Sequence, residues 1–168
     1  MKIGIVGAAG RMGLANIRQV IQTPGLELAG AIERPDAAEL GKDAGLLAGI
    51  DKLGIAITSD PVALFKASDA VIDFTRPEPT LAFAALAAEH AKIHVIGTTG
   101  FEPTQIDRLK RFGGKARIVH SPNMSLCVNL LFALVKQAAA ALDDSFDIEI
   151  LEMHHRHKVD APSGPALA

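Results

Sequence analysis

Residues suited to proton transfer and anion binding are concentrated near the end of the chain, between positions 152 and 164. Three imidazoles, one guanidinium and one ammonium occupy five consecutive positions: His154, His155, Arg156, His157 and Lys158. At neutral pH these groups donate protons and hold anions. The segment is therefore predicted to be catalytic and substrate-binding; the simpler alternative is a solvated basic loop.

Metal binding is the other chemistry open to a histidine cluster. The chain has no His-Glu-x-x-His pattern, and the three histidines would point in different directions in any regular element. The single cysteine, Cys127, excludes a cysteine zinc cluster and an internal disulfide. We expect no metal site.

The elements around this segment predict where it lies in a fold. Residues 148–151 are apolar enough for a strand, and residues 160–164 read as a turn that ends in a helix N-cap at Ser163. The cluster would then follow the carboxyl end of a strand, which is where open α/β proteins place their sites.

Composition limits the class of protein. The chain has 168 residues, 49% of them hydrophobic, which is sufficient for a globular core. Seventeen Lys and Arg against nineteen Asp and Glu give a net charge of −2 without a basic run, which excludes the usual signature of a nucleic-acid partner. No apolar run approaches the ~20 residues that span a bilayer, and no signal peptide is recognisable. We expect a cytoplasmic protein without a membrane partner.

A glycine-rich turn at residues 7–13 predicts a nucleotide site. It follows a short β-rich run, residues 3–6, and precedes a predicted helix over residues 14–22. The spacing is Gly-x-x-Gly-x-x-Gly instead of the commoner Gly-x-Gly-x-x-Gly, but the physics is the same: glycine lets the backbone approach a pyrophosphate at a helix N-terminus. Glycine turns after strands are common, so the pattern needs support.

That support comes from the end of the next predicted strand, residues 26–32. Glu33 lies twenty positions after Gly13, where a carboxylate can accept both hydroxyls of an adenosine ribose. Arg34 adjoins it, and a guanidinium favours a 2′-phosphate. The pair predicts binding of both NADH and NADPH; the alternative is a solvated charge pair.

The remaining pattern predicts the fold class. Strands are expected over residues 55–59, 70–75, 93–96 and 117–120, with helices over residues 78–91, 104–112 and 126–142 and a helix-plus-loop over residues 36–50. The last helix is apolar almost all round and is expected to be buried. The alternation predicts a Rossmann-like doubly wound parallel sheet over residues 1–124, followed by the start of a second α+β domain over residues 125–168.

With these motifs in view, the chain resembles the 4-hydroxy-tetrahydrodipicolinate (dihydrodipicolinate) reductase family of the diaminopimelate and lysine pathway. The resemblance runs through Gly-Ala-Ala-Gly-Arg-Met-Gly, Glu33-Arg34, Asp-Phe-Thr, Gly-Thr-Thr-Gly-Phe and Ser-Pro-Asn-Met-Ser. Its most specific part is Glu-x-His-His-x-x-Lys-x-Asp-Ala-Pro-Ser-Gly, from Glu152 to Gly164.

The resemblance implies roles for matching residues. The pyrophosphate would be held by Gly7, Ala8, Ala9, Gly10, Arg11 and Met12, the ribose by Glu33 and a 2′-phosphate by Arg34. The nicotinamide end would meet Gly97, Thr98, Thr99, Ser121, Pro122, Asn123 and Met124. His154 is similar to the family's acid/base residue and Lys158 to its proton donor. The carboxylates of the substrate would meet His155, Ser163, Gly164 and Pro165.

The chain departs from the family pattern in two places. The family continues Ser-Gly-Thr, whereas this chain has Pro165, which lacks the backbone N–H that would complete the carboxylate site. We expect weakened substrate binding, with the fold preserved because proline is tolerated in a first helical turn. The chain also stops at Ala168, whereas family members continue with a second domain whose sheet builds a homotetramer. We expect an incomplete second domain.

Three functions therefore remain open. The first is NADH- or NADPH-dependent reduction of 4-hydroxy-tetrahydrodipicolinate to tetrahydrodipicolinate in a homotetramer. The second is a nucleotide-binding module without turnover, because the second domain cannot close over substrate. The third is a Rossmann reductase that acts on another imine or carbonyl acid.

Overall fold

The computed structural model describes residues 1–143, 145–154, 156, 162–163 and 166. The chain divides into two compact units, Met1–His120 and Ser121–Ala168. The roles assigned above to residues 1–124 and 125–168 stay predictions. Across the described residues, every helix is too short or too polar to cross a bilayer.

The first unit is an alternation of strands and helices. Its strands are β1 (Lys2–Val6), β2 (Glu27–Ile32), β3 (Ile57–Thr58), β4 (Ala70–Asp73), β5 (Ile93–Ile96) and β6 (Arg117–His120). Its helices are α1 (Arg11–Gln22), α2 (Ala44–Leu47), α3 (Pro61–Ala67), α4 (Pro77–Glu89) and α5 (Pro103–Phe112).

The six strands form one sheet in the order β3-β2-β1-β4-β5-β6, and every neighbouring pair is parallel. The predicted doubly wound parallel sheet is confirmed. From β1 the chain adds β2 and β3 towards one edge of the sheet, and from β4 it adds β5 and β6 towards the other edge. The switch point therefore lies between β1 and β4. A crevice for a ligand is expected outside their carboxyl ends.

The core lies on both faces of this sheet, as parallel sheets require. Alternate residues of β1 point to opposite faces. Ile3 and Ile5 join the cluster that contains Ile17 of α1, and Val6 joins the cluster that contains Phe65 of α3. Ile5 and Phe65 are fully buried. The helices cover both faces of the sheet, and the parallel pairing of the strands places their carboxyl ends at one edge.

One helix was missing from the sequence prediction. The helix α3 begins after Asp60, whose side chain accepts a hydrogen bond from the Ala63 N–H at 3.0 Å, and Pro61 is its first residue. An aspartate N-cap followed by proline is a start signal that sequence alone contains. The helix has only seven residues, which is too few for a clear apolar period.

The second unit contains α6 (Leu126–Ala141). The predicted helix over residues 126–142 is confirmed, and its N-cap is Ser125, which accepts a hydrogen bond from the Val128 N–H. The prediction that this helix is buried is wrong: none of its side chains is buried, and Leu126 is 84% exposed. A helix needs another element to cover its apolar surface, and the described part of this unit contains no sheet that could do so.

The predicted strand over residues 148–151 is also wrong. These residues have no strand assignment, and Ile148, Ile150 and Leu151 are exposed. A strand exists through hydrogen bonds to a neighbouring strand. No described segment of the chain pairs with residues 148–151, so their β-forming side chains have no sheet to join.

Candidate functional site

The glycine turn lies between β1 and α1, and its Ala8 and Gly10 N–H groups donate to the main-chain oxygens of Ile32 and Gly7. Gly7 has φ +65°, and a Cβ there would lie 2.8 Å from the Thr75 methyl group. Gly10 is the N-cap of α1, and within residues 1–120 no side chain caps this helix. The N–H groups in the first turn of α1 and the positive end of its dipole are therefore suited to binding an anion, and the predicted pyrophosphate site stays a prediction.

Gly13 allows α1 to pack directly on this turn. A Cβ on Gly13 would lie 2.2 Å from the Gly7 carbonyl oxygen and 2.7 Å from Ala8. Gly13 is itself buried. Only a residue without a side chain permits this approach, which is the part that the last glycine plays in a dinucleotide fold.

Glu33 joins the end of β2 to the glycine turn. Its Oε1 accepts a hydrogen bond from the Ala9 N–H at 2.9 Å, and its Oε2 accepts one from the Arg34 N–H at 3.1 Å. The structure thus brings together the two sequence features predicted to bind the pyrophosphate and the ribose. The carboxylate lies beside the turn, as binding of an adenosine ribose requires.

Arg34 is engaged elsewhere. Its Nε lies 3.2 Å from Oδ1 of Asp36, and the two side chains are 72% and 75% exposed. A 2′-phosphate would have to compete with this carboxylate for the guanidinium. Asp36 is a residue that sequence reasoning missed, although its position two residues after Arg34 is visible in the sequence.

The loops after β4 and β5 meet at the other side of the switch point. Thr98 is 2% exposed and Thr99 is exposed. The Gly97 N–H donates to the main-chain oxygen of Asp73 at 2.8 Å. A Cβ on Gly97 would lie 2.0 Å from the Phe74 ring, so the ring covers this glycine directly.

Beneath these loops, Asp73 is fully buried and accepts hydrogen bonds from Thr75, Thr98 and His94. Burial raises the pKa of Asp73, but the hydrogen bonds from His94 and Thr75 outweigh it. The pKa of this carboxyl therefore lies below its ordinary value of 3.8. Sequence reasoning noted Asp-Phe-Thr as a strand end and did not give Asp73 a role.

In the second unit, the segment before α6 is held by its own hydrogen bonds. Ser121 Oγ donates to the Asn123 main-chain oxygen at 2.7 Å, and the Ser125 N–H donates to Asn123 Oδ1 at 2.8 Å. Pro122 and Met124 are exposed. The predicted role of these four residues, Ser121 to Met124, at the nicotinamide stays a prediction.

The segment near residue 154 contains a carboxylate that links two predicted site residues. Glu152 Oε2 lies 3.6 Å from His154 Nδ1, and Glu152 Oε1 accepts a hydrogen bond from the Ser163 N–H at 2.8 Å. The Ser163 hydroxyl also donates to Glu152. Ser163 is fully buried and its Oγ accepts a hydrogen bond from the Ala166 N–H at 3.3 Å, the pattern expected of the predicted N-cap.

Several predicted site residues lie outside the described residues: His155, Lys158, Gly164 and Pro165. Their roles stay predictions, as does the pairing of His154 with Lys158. Where the structure does describe the chain, no three acidic, histidine or cysteine side chains come together in a group that could hold a metal ion.

Comparison with known proteins decides the family. The N-terminal model of dihydrodipicolinate reductase matches residues 1–124, and the C-terminal model matches residues 127–168. The chain belongs to the dihydrodipicolinate reductase family.

Relatives in this family match the chain from end to end. The 4-hydroxy-tetrahydrodipicolinate reductases of Agrobacterium fabrum and Parvibaculum lavamentivorans are 55% and 56% identical to it over 168 residues. The match covers 99% of this chain in both cases, and 61% and 62% of the two relatives. The chain therefore spans about three fifths of the length of these reductases.

A solved structure of a dihydrodipicolinate reductase has a similar fold. The dipicolinate-bound enzyme from Paenisporosarcina sp. TG-14 is 26% identical, with a TM-score of 0.75. The match covers 99% of this chain and 63% of that chain. The likeness extends through both units of the sequence.

Proposed function

We propose that this protein is a 4-hydroxy-tetrahydrodipicolinate reductase, which uses NADH or NADPH to form tetrahydrodipicolinate in the diaminopimelate and lysine pathway. The observation that carries the proposal is the match of both family models, which together cover nearly the whole chain. The names of the relatives support the substrate. The same reasoning proposes a cytoplasmic homotetramer, as the resemblance implies.

The first unit fits a nicotinamide dinucleotide. The uncapped start of α1 and the close contact at Gly13 leave room for a pyrophosphate, and Glu33 is positioned for a ribose. We assign the pyrophosphate to residues 7–12, the 2′-phosphate of NADPH to Arg34, and the nicotinamide end to residues 97–99 and 121–124. When bound, the nicotinamide supplies a hydride to an electrophilic ring carbon of the substrate.

Residues 154–165 are proposed to supply the proton and to hold the substrate. Reduction develops negative charge on the substrate, which needs a proton and a nearby fixed cation. We assign proton donation to Lys158 and an acid/base role to His154. The carboxylates of the substrate are assigned to the remaining site residues, His155, Ser163, Gly164 and Pro165.

Two contacts in the described residues support this assignment. Glu152 lies beside the His154 ring and also binds Ser163, so one carboxylate holds a predicted acid/base group close to a predicted carboxylate-binding turn. Ser163 caps that turn from a fully buried position. Groups held in this way need little reordering when a substrate binds.

A nucleotide-binding module without turnover is the second candidate. The exposed apolar side chains of α6 favour it, because an active site excludes water only when the elements around it are covered. Both candidates bind NADH, and only the reductase oxidises it when substrate is present.

The test combines binding and turnover. We expect fluorescence titration to show NADH binding, and we expect loss of NADH absorbance when the preceding synthase generates 4-hydroxy-tetrahydrodipicolinate in the cuvette. Lys158→Gln should lower turnover by about 100-fold without changing NADH affinity. The matched control is Lys66→Gln, on an exposed lysine of α3, and should match the wild type. Binding without turnover selects the second candidate, and absence of NADH binding contradicts both.

A further inference from the structure

A buried polar cluster lies below the carboxyl edge of the sheet, and the proposed chemistry does not use it. The Asp73 cluster consists of Asp73, Thr75, Thr80, His94 and Thr98. Asp73, Thr80 and His94 are fully buried and Thr98 is 2% exposed. Burying that many polar groups costs free energy unless each is hydrogen-bonded, so such clusters persist where they hold a particular geometry.

The hydrogen bonds of the cluster converge on the Asp73 carboxylate. Its Oδ1 accepts from the Thr75 N–H at 2.9 Å, from the Thr75 hydroxyl at 2.6 Å and from the Thr98 hydroxyl at 3.3 Å. Its Oδ2 lies 3.2 Å from His94 Nε2. Because the Thr75 and Thr98 hydroxyl protons both point to Asp73, the Thr80 hydroxyl is the donor to its two neighbours, Thr98 Oγ1 at 3.0 Å and Thr75 Oγ1 at 3.3 Å.

This arrangement requires an ionised carboxylate and a particular histidine tautomer. An ionised Asp73 only accepts, which matches the four donors around it. His94 Nδ1 is buried and has no hydrogen-bond partner among the described residues. The tautomer with its proton on Nε2 is the one that donates to Asp73.

The cluster also connects the ends of four strands. The Thr75 methyl lies against Gly7 at the end of β1, and the Gly97 N–H donates to the Asp73 main-chain oxygen, which joins β5 to β4. The Thr98 main-chain oxygen lies 3.3 Å from Nε2 of His120, at the end of β6. Its hydrogen bonds therefore fix the positions of the loops after β4 and β5, whereas it reaches the glycine turn only through the Thr75 methyl group.

Its place in the sheet determines which half of a dinucleotide it affects. Glu33, assigned to the adenosine ribose, follows β2 on one side of β1. The Asp73 cluster lies in β4, β5 and their loops, on the other side. A dinucleotide bound across the switch point has its nicotinamide on that second side.

We propose that Asp73 is a positioning residue for the nicotinamide half of the cofactor. Through Thr75, Thr98 and His94 it holds the loops after β4 and β5 in the positions that binding of the nicotinamide ring requires. The inference rests on the proposed cofactor site. Asp73 does not touch the cofactor; it acts through the loops above it. Its effect should therefore appear in NADH binding and be absent from binding of ADP-ribose, which lacks the nicotinamide.

Asp73→Asn tests the inference with almost no change in volume. The new amide N–H₂ must face one of the donors that now point at the carboxylate, and this mismatch displaces the loops. We expect the Kd of NADH to rise about tenfold, while the Kd of ADP-ribose changes by less than about twofold. The matched control is Asp69→Asn, which alters an aspartate that accepts from the Lys2 N–H at 2.7 Å before β4 begins. It should leave both Kd values unchanged.

If Asp73→Asn fails to fold, two milder variants at Thr80 test the same inference. Thr80→Val keeps the shape of Thr80 and removes its hydroxyl, and Thr80→Ser keeps the hydroxyl. We expect Thr80→Val to weaken NADH binding about threefold with ADP-ribose unaffected, and Thr80→Ser to restore NADH binding. Thermal melts accompany each titration, so that affinity is compared between folded proteins.

The possible outcomes separate this inference from the proposed function. A selective loss of NADH affinity supports it. Equal losses of NADH and ADP-ribose affinity, or no loss in any folded variant, overturn the positioning role and leave the cofactor site intact. If the wild-type protein binds neither ligand, the proposed function fails and the inference fails with it.

Discussion

Substitution of Gly13 by alanine tests whether the contact between α1 and the glycine turn is as close as the structure has it. Gly13 is buried in the first turn of α1, and an alanine Cβ would lie 2.2 Å from the Gly7 carbonyl oxygen. Real Cβ contacts essentially never fall below 3.0 Å. The helix or the turn must therefore move by at least 0.8 Å, the difference between 3.0 and 2.2 Å.

Two opposing effects set the change in stability. Alanine favours a helix over glycine by up to about 1 kcal/mol. Overpacking costs roughly 1–3 kcal/mol, and here the clash is with backbone atoms that no rotamer change can remove. The clash should win, leaving Gly13→Ala destabilised by about 1–2 kcal/mol, which corresponds to a fall in Tm of roughly 2–8 °C for a chain of this size.

The displacement should also weaken cofactor binding, because the turn that moves is the one proposed to hold the pyrophosphate. We expect the Kd of NADH to rise at least about tenfold. Thermal melts and NADH titrations on the same preparation measure both effects. The matched control is Gly114→Ala, where an added Cβ meets no described atom within 4 Å, and it should change the free energy of unfolding by less than about 0.5 kcal/mol. A Gly13→Ala protein with wild-type Tm and wild-type NADH affinity would refute the reasoning.

Three further predictions concern charge and substrate binding. Asp36→Asn frees Arg34 from a surface ion pair, so the ratio of NADPH to NADH affinity should rise about two- to fivefold, whereas Asp107→Asn, which breaks an ion pair of equal length on α5, should leave that ratio unchanged. The lowered pKa of Asp73 means that its ionised form stabilises the fold above pH 3.8 and that this contribution is lost as the pH falls through the native pKa. Urea unfolding should therefore show the free-energy difference between wild type and Asp73→Asn shrinking in acid; a difference independent of pH contradicts this. Pro165→Thr restores a backbone N–H and should lower the KM for substrate, and equal KM values would show that this N–H is not used.

The sequence was sufficient for the features that depend on neighbouring residues. The alternation of apolar runs with helical segments predicted the parallel sheet, because hydrophobic period and chain order already specify β-α-β units. The glycine turn and the position of Glu33 at a strand end were likewise predicted from the sequence, because each depends on residues that are close together in the chain.

Only the tertiary structure decided the features that depend on contacts between residues far apart in the sequence. The strand predicted over residues 148–151 has the right side chains and no neighbour, and α6 has the expected length without an element that buries it. The carboxylate of Asp73 has a role only because His94 and Thr98, more than twenty residues away in sequence, are brought beside it. Propensity and capping act over a few residues and can be read along the chain. Pairing, burial and convergent hydrogen bonds act between residues that only folding brings together.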